Sequence, residues 1–217
     1  MPLSFPSSPT VGQTSTQNGR QYTWDGYAWG LSSNVAGHGS THGASGSDPV
    51  TIAASQITGL TKSIARFTPR DNQPPASAFA TLDTRNSVLV LEFDAATDES
   101  AVFVGLIPDN VSLASGLLVR LSWMADTATS GNVRWGVQLE ADGTDLDSDS
   151  FDTAALVTSA ANGTSGVETV AEITITTIDS LAAGDRYRLK VYRDADDAAN
   201  DTMTGDAQLV AVEVRAA

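Results

Sequence analysis

Alternation of apolar and polar side chains through the C-terminal part of this chain constrains its fold more than any other feature. In three segments the apolar members are Val133, Trp135, Val137 and Leu139; Ile173 and Ile175; and Tyr187, Leu189 and Val191. This period of two is typical of β-strands with one buried face, and helical spacing fits these segments less well. In the third segment, DRYRLKVYR, we assign the basic residues to the solvated side: Arg186, Arg188, Lys190 and Arg193.

Four further segments, LLVRLSWM, VLVLEF, AVFVGLI and AQLVAVEV, are rich in β-branched and other apolar residues. Turn residues separate the segments at intervals typical of antiparallel strands. Seven or eight such strands in about 140 residues predict an antiparallel β-sandwich of jelly-roll type. We therefore predict an all-β protein with a distal sandwich domain over residues 79–217.

The first 31 residues predict an extended segment followed by a small β-meander. Three prolines, Pro2, Pro6 and Pro9, favour extended backbone at the start. The dipeptides Asn18-Gly19 and Asp25-Gly26 then separate three short alternating segments. Both dipeptides are strong signals for two-residue hairpin turns, because these turns need positive φ at their central positions.

This meander carries an unusual aromatic load. Tyr22, Trp24, Tyr27 and Trp29 are half of all the Trp and Tyr residues in the chain. Alternation predicts that Tyr22 and Trp24 share a face of one strand, and that Tyr27 and Trp29 share a face of the next. These side chains could form a small core, a contact surface for another protein, or a stacking platform for a sugar ring.

Residues 32–78 predict a neck between the two folded parts. Gly, Ser and Thr make up 14 of the 28 residues from 32 to 59. The segment therefore has too few apolar side chains to offset the entropy of ordering a lone chain. The next apolar residues are spaced 3, 4 and 3 apart, as in a short coiled coil, and are Ile57, Leu60, Ile64 and Phe67. A segment too weak to fold alone that leads into such a seam predicts that several copies of the chain wind around one another. A proline-rich joint follows at residues 68–78.

The charge of the chain is uneven. Residues 1–66 carry a net charge of +1. Since the whole chain carries −14, the remaining 151 residues carry −15. Such an acidic body repels phosphate backbones and argues against a nucleic-acid partner. It favours solubility, or attraction to a cationic surface. With no run of 18 apolar residues and no signal-peptide pattern at the start, we expect neither a membrane span nor a secretory leader.

The residue types needed for catalysis are largely missing. There is no cysteine, no Gly-x-Ser-x-Gly elbow and no phosphate-binding glycine loop. The last 151 residues hold 24 carboxylates, so a chance pair carries no information. We therefore expect no enzyme activity and no cofactor.

Metal binding has two weak candidates. His38 and His42 have helical ligand spacing, but the glycines around them disfavour a helix, so we expect polar packing in the neck and no metal. The acidic loop 142–152 matches the first three ligands of a calcium-binding EF-hand and then fails at Ser150 and Leu156. We favour solvated loop tips for this loop and for the acidic loop 194–201, and calcium binding by either stays the open alternative.

Three segments carry a resemblance. FPSSPTVGQTSTQNGRQYTWDGYAWG resembles an N-terminal element of tailed-phage structural proteins, with an FPxxPxxGQ opening and a W-(N/D)-G-x-x-W close. HGSTHGASGSDPVTIAASQITGL resembles the neck of phage fibre proteins, although Ser45 replaces one glycine of the pattern H-x-x-x-H-x-x-G-G-x-D-P. The run from 180 to 214 is similar to the closing strands of jelly-roll domains in phage virion proteins.

The resemblance implies a homotrimeric virion fibre of the short tail fibre type, made in the host cytoplasm and placed on the virion surface. The sandwich would then face the host surface and its receptor or glycan. Alternatives are a capsid head fibre or decoration protein of the same architecture, or a glycan-binding module. The implied virion-anchoring residues are Phe5, Pro6, Pro9, Trp24, Tyr27 and Trp29. The implied neck residues are His38, His42, Ile57, Leu60, Ile64 and Phe67.

Overall fold

A computed structural model describes residues 2–32, 63–143 and 150–217. The chain divides into two units, residues 1–60 and 61–217. Every regular element in the described ranges is a β-strand, apart from one 3₁₀ turn, so the predicted all-β class is confirmed. Within the same ranges, no helix has the length and apolar character needed to cross a membrane.

The N-terminal unit contains the predicted three-stranded meander. Its strands are β1 (Thr14–Gln17), β2 (Arg20–Trp24) and β3 (Trp29–Leu31), in the antiparallel order β1-β2-β3. Gln17 pairs with Arg20 across the first turn. Asn18 and Gly19 have φ of 50° and 75°, the positive values that a tight two-residue hairpin needs.

The second turn is longer than predicted. β2 ends at Trp24 and β3 begins at Trp29, so a loop of four residues replaces the predicted two-residue turn. The Asp25 carboxylate accepts hydrogen bonds from the backbone N–H groups of Tyr27 and Ala28, both at 2.8 Å. The bond from Ala28, followed by that from Tyr27, lowers the pKa of Asp25. This side-chain capping fixes the longer loop and removes Tyr27 from the strand.

The second unit is a β-sandwich of two antiparallel sheets. Its ten strands within the described residues are β4 (Ser63–Phe67), β5 (Thr81–Arg85), β6 (Val88–Phe93), β7 (Glu99–Leu106), β8 (Leu117–Ala125), β9 (Asn132–Ala141), β10 (Ala155–Ala160), β11 (Thr169–Ile175), β12 (Arg186–Arg193) and β13 (Ala207–Ala216). Eight of them have the sheet orders β6-β13-β8-β11 and β7-β12-β9-β10, which is jelly-roll topology. The other two, β5 and β4, extend the first sheet by pairing with β6 and β13.

The sandwich begins before the predicted boundary at residue 79. Ile64 and Phe67 lie in β4, so the predicted helical seam is wrong for these two residues. Phe67 is buried and stacks on Phe103 with a centroid distance of 5.2 Å. The segment predicted as a proline-rich joint also belongs to the sandwich, since Asn72 Oδ1 accepts a hydrogen bond from the Val102 N–H. Pairing with β13 outweighed the 3-4-3 spacing, which favours a helix because residues three apart lie on opposite faces of a strand.

The core lies between the two sheets and confirms the predicted alternation. The apolar residues predicted to face inward in the three segments are all buried. Trp135 contacts Phe93 and Trp123 at ring-centroid distances of 5.0 and 5.8 Å. The prediction that Arg193 lies on the solvated side is wrong, because Arg193 is fully buried. Its odd position places it on the same side of β12 as Tyr187 and Val191.

Candidate ligand-binding cleft on the four-stranded sheet

The outer face of the four-stranded sheet carries an aromatic ring near one end of β12. Tyr192 of β12 pairs with Gly136 of β9 on one side and with Ser100 of β7 on the other. A Cβ atom at Gly136 would overlap the Tyr192 ring. Because glycine has no Cβ, the phenol ring can lie across the β9 backbone instead of standing away from the sheet.

Polar side chains surround this ring. Lys190, two residues before Tyr192, places Nζ 5.2 Å from the Tyr192 ring centroid and 5.9 Å from that of Phe151. Gln138 lies opposite Lys190 on β9. Its Nε2 donates to the carbonyl of Asp152 at 2.9 Å, which holds the amide in place beside the ring. An aromatic surface thus lies next to a fixed amide and an ammonium group.

These groups line an open cleft of about 390 Å³. One wall comes from the turn before β7 and the other from the residues that follow β12. The edge is closed by the segment beside β7, where the Ser100 N–H donates to the carbonyl of Ala78 at 2.9 Å. The lining residues are Ala78, Asp98, Glu99, Ser100, Gln138, Lys190, Tyr192 and Asp194.

The cleft has a negative electrostatic character. Burial raises the pKa of Asp194, and the nearby carboxylates of Asp98, Asp196 and Asp197 raise it further. Burial, followed by Asp194 and Asp98, likewise raises the pKa of the Tyr192 phenol. Like charges disfavour ionisation of a neighbouring acid, so a part of both pKa shifts, smaller than that of burial, comes from the negative charge at this end of the sheet.

Three carboxylates at this end could approach one cation. Oxygen atoms of Asp98, Asp194 and Asp196 lie within 4.8 Å of one another. Oxygen ligands of this kind suit calcium. The Asp196 N–H donates to Asp98 Oδ1 at 3.2 Å, which accounts for part of this grouping without any ion. We therefore describe the cluster as acidic lining of the cleft.

Carboxylates of the two acidic loops, 142–152 and 194–201, take part in ion pairs. In loop 194–201, Asp197 lies 3.6 Å from Arg134, and Asp201 pairs with the buried Arg193. Those two carboxylates are therefore used in structural ion pairs. Residues 144–149 of loop 142–152 lie outside the described residues, while Asp142 at its start pairs with Arg186 at 2.7 Å. Whether either loop binds calcium stays open.

The aromatic residues of the N-terminal unit mostly pack on one another. Phe5 stacks on Trp29 at a centroid distance of 5.0 Å and meets the edge of Tyr22 at 5.1 Å. Trp24 lies 5.7 Å from Trp29. All four are half-buried, which matches the small-core alternative. Tyr27 is different, because it lies in the loop and is 94% exposed.

The remaining residues singled out from the sequence are scattered. Pro6 is exposed and Pro9 is half-buried in the segment before β1. Ile64 and Phe67 lie in β4, as described above. The four other predicted neck residues, His38, His42, Ile57 and Leu60, lie outside the described residues.

A second, larger groove of about 570 Å³ lies beside β5. Its exposed apolar side chains are Phe79 and Leu82. Arg70 and Asn72 also line it, but Asn72 Oδ1 is already used by the Val102 N–H. This groove therefore offers fewer convergent polar groups than the Tyr192 cleft.

The sequence matches no protein-family model and no curated protein sequence. Among solved structures, the chain is similar to an isomaltodextranase from Arthrobacter globiformis T6 complexed with panose (17% identity, TM-score 0.43), over 69% of this chain and 22% of that chain. It is also similar to a carbohydrate-binding module from Cellvibrio mixtus lichenase 5A in complex with cellotriose (13% identity, TM-score 0.41; 70% and 97% covered). A third is a xylan-binding domain from Paenibacillus barcinonensis Xyn10C (10% identity, TM-score 0.40; 72% and 92% covered). At these values the similarities carry no conclusion about ligand or activity.

The local sequence pattern does not reveal the cleft. One signal was present, because Tyr192 is a large aromatic residue on the solvated side of a strand otherwise rich in basic residues. The partners of Tyr192 come from β7, β9 and the turn at Asp98, which are far apart in the sequence. Only the sheet order brings them together.

Proposed function

We propose that the sandwich is a glycan-binding module and that the Tyr192 cleft is its binding site. The observation that carries this proposal is the Tyr192 ring, held across Gly136 with Gln138 and Lys190 beside it. Sugar rings present apolar C–H faces that stack on aromatic rings, and hydroxyl groups that need fixed polar partners. The cleft supplies both within one open surface.

We further propose that the module binds without cleaving. Burial raises the pKa of Glu99, as it does for a general acid in a glycosidase. However, Glu99 Oε2 accepts the backbone N–H of Asp94 at 2.9 Å. This hydrogen bond closes the turn between β6 and β7, so we assign Glu99 a structural role.

A glycan panel tests the proposal. The panel contains cellotriose, panose, xylan, mannan, a glucosamine hexamer, glucuronoxylan and mannuronan, with binding measured by calorimetry or affinity electrophoresis. We expect Tyr192→Ala to weaken binding about five- to thirtyfold, because stacking on one aromatic ring contributes roughly 1–2 kcal/mol. Release of reducing ends in the same samples measures cleavage, and we expect none.

Tyr27→Ala is the matched control, since Tyr27 is an exposed tyrosine on the other unit. It should bind glycans like the unchanged protein. Equal binding by the Tyr192→Ala variant, or no binding to any member of the panel, would overturn the proposed function. Circular dichroism of both variants separates loss of binding from loss of folding.

A second candidate function concerns the whole chain. We propose that it is a homotrimeric phage virion fibre, anchored through its N-terminal unit on a tail or capsid protein. Support comes from the sequence resemblances and from the apolar surface of this small unit. Tyr27 is 94%, Val11 75% and Leu31 51% exposed. An exposed tyrosine is a typical anchor at protein interfaces, and exposed aliphatic groups add apolar contact surface.

Two measurements test this candidate. Light scattering should give a mass about three times 22.5 kDa, and a mass of one chain would contradict the trimer. Tyr27→Ala should reduce incorporation into particles while glycan binding persists, and Tyr192→Ala should do the reverse. Deletion of residues 1–31 should abolish incorporation, and particles that still carry the shortened protein would refute the anchor.

A further inference from the structure

We propose that the Tyr192 cleft selects neutral glycans and amino sugars and rejects acidic ones such as uronates. This inference rests on the proposed glycan-binding function and specifies its ligand class. It follows from the charges that surround the ring. Three carboxylates line the cleft, from Asp98, Glu99 and Asp194, and they face a single ammonium group, that of Lys190.

None of the three carboxylates is neutralised by an ion pair within the described residues. Among the described residues, no salt bridge reaches Asp98, Glu99 or Asp194. Asp196, bonded through its N–H to Asp98, adds a fourth carboxylate at the same end. A carboxylate on a bound sugar would therefore approach several like charges, with the Lys190 ammonium as the one cationic group among the lining residues.

The two neighbouring arginines of the sheet face are already paired. Arg188 lies 2.8 Å from the buried carboxylate of Glu140. Arg134 lies 3.6 Å from Asp197 and donates to Thr158 Oγ1 at 2.9 Å. Lys190 Nζ lies near two aromatic rings, those of Tyr192 and Phe151. These cations do not build the bidentate arginine site that carboxylate recognition normally uses.

Repulsion of this kind gives specificity by penalising the wrong ligand. A like charge placed at a recognition site costs enough to suppress binding by at least about tenfold. A free amine on the sugar reverses the sign, because its ammonium group is attracted to the same carboxylates. We therefore expect the order amino sugar, neutral sugar, uronate, from tightest to weakest.

Matched pairs of glycans with the same backbone test this order. The pairs are cello-oligomers and their C6-carboxylated forms, xylan and glucuronoxylan, and mannan and mannuronan, with the glucosamine hexamer as the cationic probe. In each pair that binds, the acidic member should bind at least about tenfold more weakly at low salt. The difference should shrink as salt rises from about 0.05 to 0.5 M, because exposed charges are screened.

A double variant, Asp98→Asn with Asp194→Asn, separates local charge from the overall charge of the protein. It should reduce the discrimination severalfold. The control, Asp83→Asn with Glu168→Gln, makes the same change of net charge at exposed positions on or beside strands of the other sheet. It should keep the discrimination intact.

The outcomes distinguish this inference from the proposed function. An acidic glycan that binds as tightly as its neutral partner would overturn the charge selectivity and leave glycan binding standing. Equal effects of the two double variants would also overturn it, because selectivity would then reflect net charge alone. Absence of binding to every probe would overturn the proposed function, and the inference with it.

Discussion

Arg193 and Asp201 form an ion pair that is closed from solvent inside the sandwich. Arg193 Nε and Nη2 donate to the two oxygens of the Asp201 carboxylate at 2.9 and 2.8 Å. The other guanidinium N–H groups donate to the backbone carbonyls of Phe93, Met203 and Gly205. All five donors of the arginine are therefore satisfied, which is the condition for burying such a charge.

We expect Arg193→Ala to destabilise the sandwich by about 3–5 kcal/mol. The reason is that the Asp201 carboxylate would remain buried without its cation. Urea unfolding followed by far-UV circular dichroism measures the loss. Arg70→Ala is the control, because Arg70 is exposed, and its change should stay within about 0.5 kcal/mol. Similar unfolding midpoints for the two variants would contradict the structural role of Arg193.

Gly136→Ala should weaken glycan binding at least about tenfold. A Cβ at this position overlaps the Tyr192 ring, so the ring must leave its place across β9. We also expect a loss of stability of about 1–3 kcal/mol from the added volume. Gly163→Ala is the matched control, since a Cβ there meets no atom within 4 Å. If Gly136→Ala binds glycan like Gly163→Ala, the position of Tyr192 does not matter for recognition.

Glu213 predicts a defined acid dependence of stability. Hydrogen bonds from Arg215, followed by Arg66, lower its pKa from 4.5 to about 2. The unfolded state therefore binds a proton more readily, and the stabilisation is present above pH 4.5 and is lost as pH falls towards 2. Glu213→Gln should cost about 1–2 kcal/mol at pH 7, and this difference from the unchanged protein should shrink across that interval.

Urea midpoints at several pH values check the Glu213 prediction. The exposed Glu168→Gln variant controls for the loss of one carboxylate elsewhere. A stability difference for Glu213→Gln that stays constant down to pH 2.5 would count against it. Salt should also reduce the difference, because Arg66 is 75% exposed.

Phe5→Ala should loosen the N-terminal unit. Phe5 contributes a stacked contact to Trp29 and an edge contact to Tyr22, each worth about 0.5–1.5 kcal/mol beyond area burial. Its loss should expose Trp29, which acrylamide quenching of tryptophan fluorescence can measure. Val11→Ala at a 75% exposed position should leave quenching unchanged. Equal quenching in both variants would show that Phe5 does not hold this small core.

The predictable part of the fold is the part that depends on local pattern. Alternation placed Val137 and Leu139 on the inner side of β9, and the Asn18-Gly19 dipeptide placed the first hairpin turn. The Asp25-Gly26 turn was predicted too short because an aspartate side chain can cap a longer loop equally well. The helical prediction is wrong for Phe67 because pairing with β13, which is distant in the sequence, outweighs a helical spacing of only four residues.

The sequence by itself determined which residues can face a core, because side chains of a strand alternate between two sides. The tertiary structure decided which strands are neighbours, since sheet order depends on contacts between distant parts of the chain. It placed Asp98 and Asp194 beside Tyr192, and it paired Arg193 with Asp201 on the buried side of β12. The candidate cleft and its charge therefore come from topology, and the strands that build it come from local pattern.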